Sequence, residues 1–267
     1  MWRDEWQAWL IASESGWSLS ELWQNMRFEP QPGMWHVILW FLSRLWANPF
    51  SMQLFHFLCG TAAAVLVMKY SPFSSWMRLV IVMGYYISFE YLIISRHYVL
   101  GVFLVFLFCS FYDRAKKSPI AGGAILGALA NTSIFGAIIS LALYGGLMTE
   151  RIVNSSQERD DKTRIRTYAY RISVVYFMLL LFSFCVMFLS RGNYGSGWNY
   201  DFDINVYSVV MASILPLSMA PVPVLTHDFW NTLYIIRTNN IALILACCGM
   251  LGFGTIMILR RTNIGLW

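Results

Sequence analysis

Three polar groupings interrupt a largely apolar chain and could do chemistry. Asp4 and Glu5 are adjacent carboxylates near its start. A carboxylate buried beside a cleft can act as a general base or bind a cation, whereas the same pair on an open loop is a solvated turn. The second grouping lies in YYISFEYLIISRHY, where Glu90 and Arg96 sit near one end of an apolar run. A charge at mid-membrane costs roughly 2.5 to 3.5 kcal/mol on insertion scales, so it calls for a partner or a polar cavity, unless Arg96 snorkels to the interface. Flanked by Tyr91, His97 and Tyr98, the planar donors of Arg96 suit a phosphate. The third, PVPVLTHDFWNT, carries His227, Asp228, Trp230 and Asn231. These either line a site or form an interfacial cap in which Trp230 anchors and Asn231 closes a turn. Asp201 and Asp203 make a DxD-like pair in a Gly-rich stretch, and without further ligands they are assigned no role.

The elements that must hold these residues follow from composition. The chain has 267 residues, 58% of them hydrophobic and only 12% charged, which is more apolar surface than a soluble core buries. Its apolar runs are continuous rather than alternating, which excludes a β-barrel and predicts an all-α, polytopic transmembrane helical bundle. The net charge of +5 does not indicate a nucleic-acid partner, because Lys and Arg fall between apolar runs and form no stripe with aromatics. All five cysteines lie inside apolar runs, without the spacing of a metal site, and read as buried thiols.

Four regions are expected. Residues 1–33 form an external acidic loop with short interfacial helices, where Ser18 and Glu21 are spaced as a capping box. Residues 34–190 form the transmembrane module, with spans at Met52–Met68, Leu79–Ser95, Tyr98–Tyr112 and Ile172–Ser190. Within it, 34–46 is an interfacial or re-entrant segment, and Ile120–Met148 is two short helices broken at Asn131, Thr132 and Ser133. Residues 191–240 form a second external region, whose Pro216, Pro221 and Pro223 oppose a regular span. Residues 241–267 supply the last transmembrane helix and a basic cytoplasmic end. With Asp4 outside, all of the nineteen Lys and Arg fall inside except Arg3, Arg27, Arg44, Arg96, Arg191 and Arg237, as the positive-inside bias requires. A crossing at 34–46 would invert every later loop relative to Asp4. This layout brings the three polar groupings to the non-cytoplasmic face.

The runs RDEWQAWLIASES, SLSELWQNMRFEPQPGMWHVILWFLSRL, SMQLFHFLCGTAAAVLVMKYSPF, GYYISFEYLIISRHYVLGVFLVFLF and LANTSIFGAI resemble the membrane module of GT-C glycosyltransferases, and PVPVLTHDFWNT fits the same group. Within that superfamily the chain is most similar to uncharacterised bacterial members, and the resemblance covers most of its length. It implies a multi-pass protein of the bacterial cytoplasmic (inner) membrane. Such an enzyme transfers a sugar from a polyprenyl-phosphate carrier to an acceptor on the non-cytoplasmic side. The resemblance maps the catalytic acid onto Asp4, with Glu5 as neighbour, and the carrier-phosphate residues onto Arg96 and Tyr98. Glu90, His97, His227, Trp230 and Asn231 would line the site. Membrane lipid and the lipid-linked donor are the implied partners, the acceptor is not specified, and a divalent cation is admitted without being required.

Two departures qualify the resemblance. Relatives carry a His-Pro step after the first loop where this chain has Gln31 and Pro32, and His36 sits too far along to be a simple substitute. Relatives also have a span before the acidic loop and more spans at the C-terminus, so the chain is expected to be a module truncated at both ends. Two other functions stay open: a non-catalytic or degenerate membrane subunit of the same family, and a lipid or small-molecule transporter. The transporter would need paired broken helices in two repeats.

Overall fold

A computed structural model describes residues 3–29, 31–84, 87–88, 92, 94–158 and 162–189. Glu90, the 191–240 region with Asp201, Asp203, His227, Trp230 and Asn231, and the expected last span at 241–267 lie outside the described residues, as does the side chain of Asp4. The described residues form helices and connecting turns, without strands. Ten α-helices follow in order: α1 Arg3–Glu14, α2 Leu19–Asn25, α3 Met34–Leu45, α4 Phe50–Tyr70, α5 Ser75–Met83, α6 Tyr98–Ser110, α7 Tyr112–Lys117, α8 Pro119–Ala130, α9 Ile134–Glu158 and α10 Lys162–Leu189. The chain divides into two units, Met1–Leu66 with Ile94–Tyr194, and Val67–Ile93 with Gly195–Trp267.

Among the described residues two helices are long and apolar enough to cross a membrane, Phe50–Tyr70 and the Ile165–Met187 portion of α10. A third or less of each apolar window is buried, whereas the core helix of a soluble protein would be mostly enclosed. The side chains left outside on α10 include Phe177, Met178, Leu181 and Phe182, an apolar surface of the kind that meets lipid or a partner. Helices α3, α6 and α8, with 12, 13 and 12 residues, rise only about 18 to 20 Å each, short of roughly 30 Å of hydrocarbon.

The expected span Leu79–Ser95 is corrected: α5 stops at Met83, where Gly84 takes an extended conformation (φ −63°, ψ 151°). Continuous apolarity marked the run, but apolarity does not report where a backbone leaves the helix. In this second unit Arg78 pins the α4–α5 turn, donating to the carbonyls of Phe73 and Met68, both at 2.7 Å. The capping box is corrected in detail as well. Ser18 caps α2, but its hydroxyl accepts from Ser20 N, and Glu21 reaches back past it to accept from Gly16 N at 2.6 Å.

In the first unit α8 is the central helix, packed against α6, α9 and α10. Its glycines allow the approach. A Cβ added at Gly123 would sit 3.0 Å from the Ile172 carbonyl, and one at Gly127 would sit 2.6 Å from Leu179 Cβ. Small residues at such positions let helices of an apolar bundle come together closely. The surrounding core joins Phe108, Leu126, Leu147, Ile172, Tyr176 and Leu180.

The break expected at Asn131, Thr132 and Ser133 is present between α8 and α9, although α9 is a long helix of 25 residues rather than a short one. A helix end inside a packed bundle leaves four carbonyls to satisfy. Here Gly127 O takes Asn131 Nδ2 (2.8 Å), Ala128 O takes Asn131 N (3.0 Å), Leu129 O takes Thr132 Oγ1 (2.8 Å) and Ala130 O takes Ser183 Oγ (2.9 Å). Asn131 Nδ2 also reaches Leu179 O on α10 at 2.9 Å, and Ser133 Oγ caps α9 by accepting from Gly136 N at 2.9 Å.

Asn131→Leu removes the donor for Gly127 O, and Gly127→Ala presses a methyl against Leu179. Each change is expected to cost about 1 to 3 kcal/mol. The midpoint of SDS-induced unfolding in mixed micelles measures it, and two unchanged midpoints would rule out this account of the α8–α10 contact.

Candidate functional site

The site begins with a backbone amide. Ser95 lies in the non-helical approach to α6, only 2% exposed, so its N–H has neither a helical partner nor water. The acceptor comes from 90 residues earlier: Glu5, also 2% exposed, accepts from Ser95 N through Oε1 at 2.5 Å. A charge-assisted bond to a buried N–H is among the stronger hydrogen bonds in proteins. It sets the start of α1 against the segment that carries Arg96, His97 and Tyr98.

The other end of α1 is tied to α3. Arg44 donates to Gly16 O (2.6 Å) and Ser13 O (3.4 Å), and Trp40 Nε1 also reaches Gly16 O (2.9 Å). A cation on the last carbonyls of a helix completes their hydrogen bonding and favours the dipole. The guanidinium lies 5.5 Å from the Trp40 ring and 5.7 Å from the Trp17 ring, adding cation–π attraction.

Between these elements is a cavity of about 220 Å³, lined by Gln7 and Ala8 of α1, by Glu29, Gln31 and Pro32, by Trp35 and His36 of α3, and by Ser95, Arg96, His97 and Tyr98. Gln7 Nε2 closes part of its rim by donating to Glu29 Oε1 at 2.7 Å. The His97 and Tyr98 rings lie 4.0 Å apart, tilted. A second, more open depression of about 510 Å³ on α1 involves Trp6, Leu10, Glu14 and Arg27 but none of the expected site residues.

The structure therefore brings together Glu5, Arg96, His97 and Tyr98. Asp4 occupies the first turn of α1, one residue before Glu5. His36, Gln31, Trp35, Gln7 and Glu29 are site residues that the sequence reading did not include. For His36 a signal existed. Trp35, His36, Leu39 and Ser43 form the buried face of α3, and a histidine at an apolar-face position is the exception that asks for an explanation. Among the described residues no three His, Cys, Asp or Glu side chains gather as a metal site, so no step is assigned to a cation.

His36 is 4% exposed, and neither of its ring nitrogens has a hydrogen-bond partner; Gln31 Oε1 and His97 Nε2 are likewise buried without one. Such groups each cost about 1 to 3 kcal/mol when left unmet. Burial, helped by the charge that His97 would carry, lowers the pKa of His36 to about 4; burial and the neighbouring Arg96 lower that of His97 to about 4. Both rings are therefore neutral near pH 7, each with one donor and one acceptor nitrogen. The cavity thus combines a fixed cation, neutral donor–acceptor groups and an indole wall. Arg96 is the cation among these lining residues, and its planar donors suit an anionic group.

No known protein family, curated protein or solved structure matches this chain.

The histidine pair makes stability depend on pH. Between pH 6.5 and about 4 the unfolded chain binds protons that the folded pair refuses, so stability is full above pH 6.5 and falls on acidification. Nitrogen-detected NMR of the imidazoles at pH 6 is expected to show both rings neutral, and His36→Phe is expected to flatten the acid side of a stability profile. A protonated His36 at pH 6 would contradict this.

Proposed function

We propose that the chain is a GT-C-like membrane glycosyltransferase module, transferring a sugar from a polyprenyl-phosphate carrier to an acceptor on the non-cytoplasmic face of a bacterial inner membrane. The observation that carries the reading is the Glu5–Ser95 bond, which sets the acidic start of α1 beside the Arg96–His97–Tyr98 segment. The resemblance pairs these same two stretches as acid and phosphate site. The apolar helices α4 and α10 support a membrane setting, and the multi-pass topology follows from the distribution of basic residues.

In this reading Asp4 takes the proton of the acceptor hydroxyl as its oxygen bonds to the anomeric carbon. The bond from that carbon to the carrier phosphate breaks, and the phosphate leaves with the electron pair. Arg96 meets the charge that develops on it, with Tyr98 as a further hydrogen-bonding group. Glu5, engaged by Ser95 N, positions rather than reacts. That same engagement of one of the two carboxylates favours the second reading, a non-catalytic membrane subunit.

The deciding measurement is sugar transfer from a polyprenyl-phosphate donor in membranes holding equal amounts of each variant. Asp4→Asn is expected to lower the rate about 10² to 10⁴-fold, the scale of a lost general base. Glu5→Gln, which keeps an acceptor for Ser95 N, loses less. Arg96→Ala lowers kcat as well as raising KM for the donor, because the charge that Arg96 meets grows as the phosphate leaves. Transfer by Asp4→Asn at the unmodified rate would leave the non-catalytic subunit as the better reading.

A further inference from the structure

At the end of the first unit that carries α7, the cations are of two kinds. Lys116 takes both carboxylates whose side chains are described there, Asp113 at 2.9 Å and Glu150 at 3.2 Å, and Tyr112 also donates to Glu150. Arg151 donates to the Lys116 carbonyl, and its guanidinium lies 4.3 Å from the centre of the Tyr168 ring. The Tyr168 hydroxyl in turn donates to Ala115 O at 2.8 Å. These contacts fix α7 against α9 and α10 with Tyr112 and Ala115 buried. Arg114, Lys117, Arg166 and Arg171 are different: all four are exposed, and among the described residues none pairs with a carboxylate. Residues 113–171 hold nine Lys and Arg against five Asp and Glu, so a positive surplus remains whatever further pairs form.

The four stand at one level of the bundle. Tyr168 meets α7 at Ala115, so Arg114 and Lys117 lie beside the stretch of α10 that runs from Arg166 to Arg171. Residues 172–189 of α10 carry no charge, and at about 1.5 Å per residue they rise about 27 Å, close to the roughly 30 Å of hydrocarbon in a bilayer. The apolar boundary of the helix therefore falls at these cations, where Tyr170 is exposed as interfacial aromatics are. Apolar side chains are exposed immediately past that level: Val174 and Met178 follow Arg171 on one face of α10, Phe177 follows Tyr170 on the next, and Ile120 stands at the start of α8. A free anion would use the cations alone. A phospholipid uses both surfaces, with its phosphate at the cations and its acyl chains along the apolar side chains.

We propose that Arg114 and Lys117 of α7, with Arg166 and Arg171 of α10, form a collar that binds anionic glycerophospholipid in preference to zwitterionic lipid. Charge complementarity selects the lipid, because a cation held at an anionic membrane surface is worth about fivefold in affinity, and a zwitterionic headgroup cancels most of that gain. The internal network gives the collar its sign: with Asp113 and Glu150 both taken by Lys116, neither neutralises the outer four. It also gives the collar its rigidity, since α7 is held by Arg151 and Tyr168 rather than by lipid. The inference goes beyond the transferase reading and rests on the membrane setting of α10 alone.

The test equilibrates the full chain, in mild detergent, with equal amounts of dioleoyl phosphatidylglycerol and dioleoyl phosphatidylcholine, and counts retained lipid by native mass spectrometry. Glycerol 1-phosphate in excess serves as a headgroup without chains. Phosphatidylglycerol is expected to be retained about tenfold over phosphatidylcholine, and glycerol 1-phosphate does not displace it. Arg171→Gln is expected to lower the preference about fivefold, and the change of all four cations to Gln brings it to parity. Lys69→Gln, which removes an exposed cation of the second unit, leaves it unchanged. Should the fourfold variant not fold, the pairs Arg114→Gln with Lys117→Gln and Arg166→Gln with Arg171→Gln decide in its place. Equal retention of the two lipids, a preference indifferent to the collar variants, an equal loss in Lys69→Gln, or displacement by glycerol 1-phosphate overturns the proposal. Lipid retention is read without sugar donor or acceptor, so the two readings fail separately. A preference lost in the collar variants, with no sugar transfer by any preparation, keeps the collar and removes the transferase. Transfer that requires Asp4, with no lipid preference, does the reverse.

Discussion

The bond between Glu5 and Ser95 is the constraint on which the site depends. Each group alone would be a liability, a carboxylate without water on one side and a backbone N–H without a partner on the other. Together they satisfy one another at 2.5 Å. The arrangement fixes the start of α1 against the non-helical segment that precedes α6. Arg96 and His97 stand just before α6, which Tyr98 opens, and a non-helical approach is tolerated where its amides are met, Ser95 N by Glu5 and Arg96 N by Ile94 O at 2.8 Å. Arg96, His97 and Tyr98 take their places from that approach.

The same logic governs the α8–α9 turn. Apolar surroundings permit a broken helix only if the freed backbone groups are met inside the protein. Asn131, Thr132 and Ser183 meet all four terminal carbonyls of α8, and the donors come partly from α10. The turn is thus also a tie between helices, and the glycines of α8 bring α10 near enough to make it. Polar residues in an apolar run were the visible mark of this device.

What was legible in the sequence follows from what leaves a one-dimensional trace. Continuous apolarity announced α4 and α10, and the Asn131–Ser133 interruption announced a helix break, because hydrocarbon leaves the backbone few choices. The end of α5 at Met83 left no trace, since Gly84 lies in a run as apolar as its neighbours. Of the site, Arg96, His97 and Tyr98 stood out as polar residues at the end of an apolar run. Gln31 did not, because its significance lies in an unmet hydrogen bond, a property of three-dimensional neighbours rather than of spacing. His36 was set aside as too far along to replace the histidine of a His-Pro step. Distance along the chain was a poor guide, since α3 begins at Met34 and its first turn faces the cavity.

The cavity keeps its shape because α1 is held from both ends. At its start Glu5 is bound to Ser95 N; after its last turn Gly16 O receives both Arg44 and Trp40 Nε1. A helix fixed at one end could slide or rotate, and a rotation of a single residue, about 100° at 3.6 residues per turn, would carry Gln7 and Ala8 away from the cavity wall. Fixing both ends removes that freedom, and α3 is fixed by the same contacts because Arg44 and Trp40 belong to it. Trp35 and His36 therefore face the cavity from a helix whose last turn is anchored to the helix that forms the opposite wall. A buried histidine without partners is destabilising, and in a loosely held helix it would turn toward water. Here the Arg44 and Trp40 contacts hold α3 in place against that cost, with both His36 nitrogens enclosed by the protein.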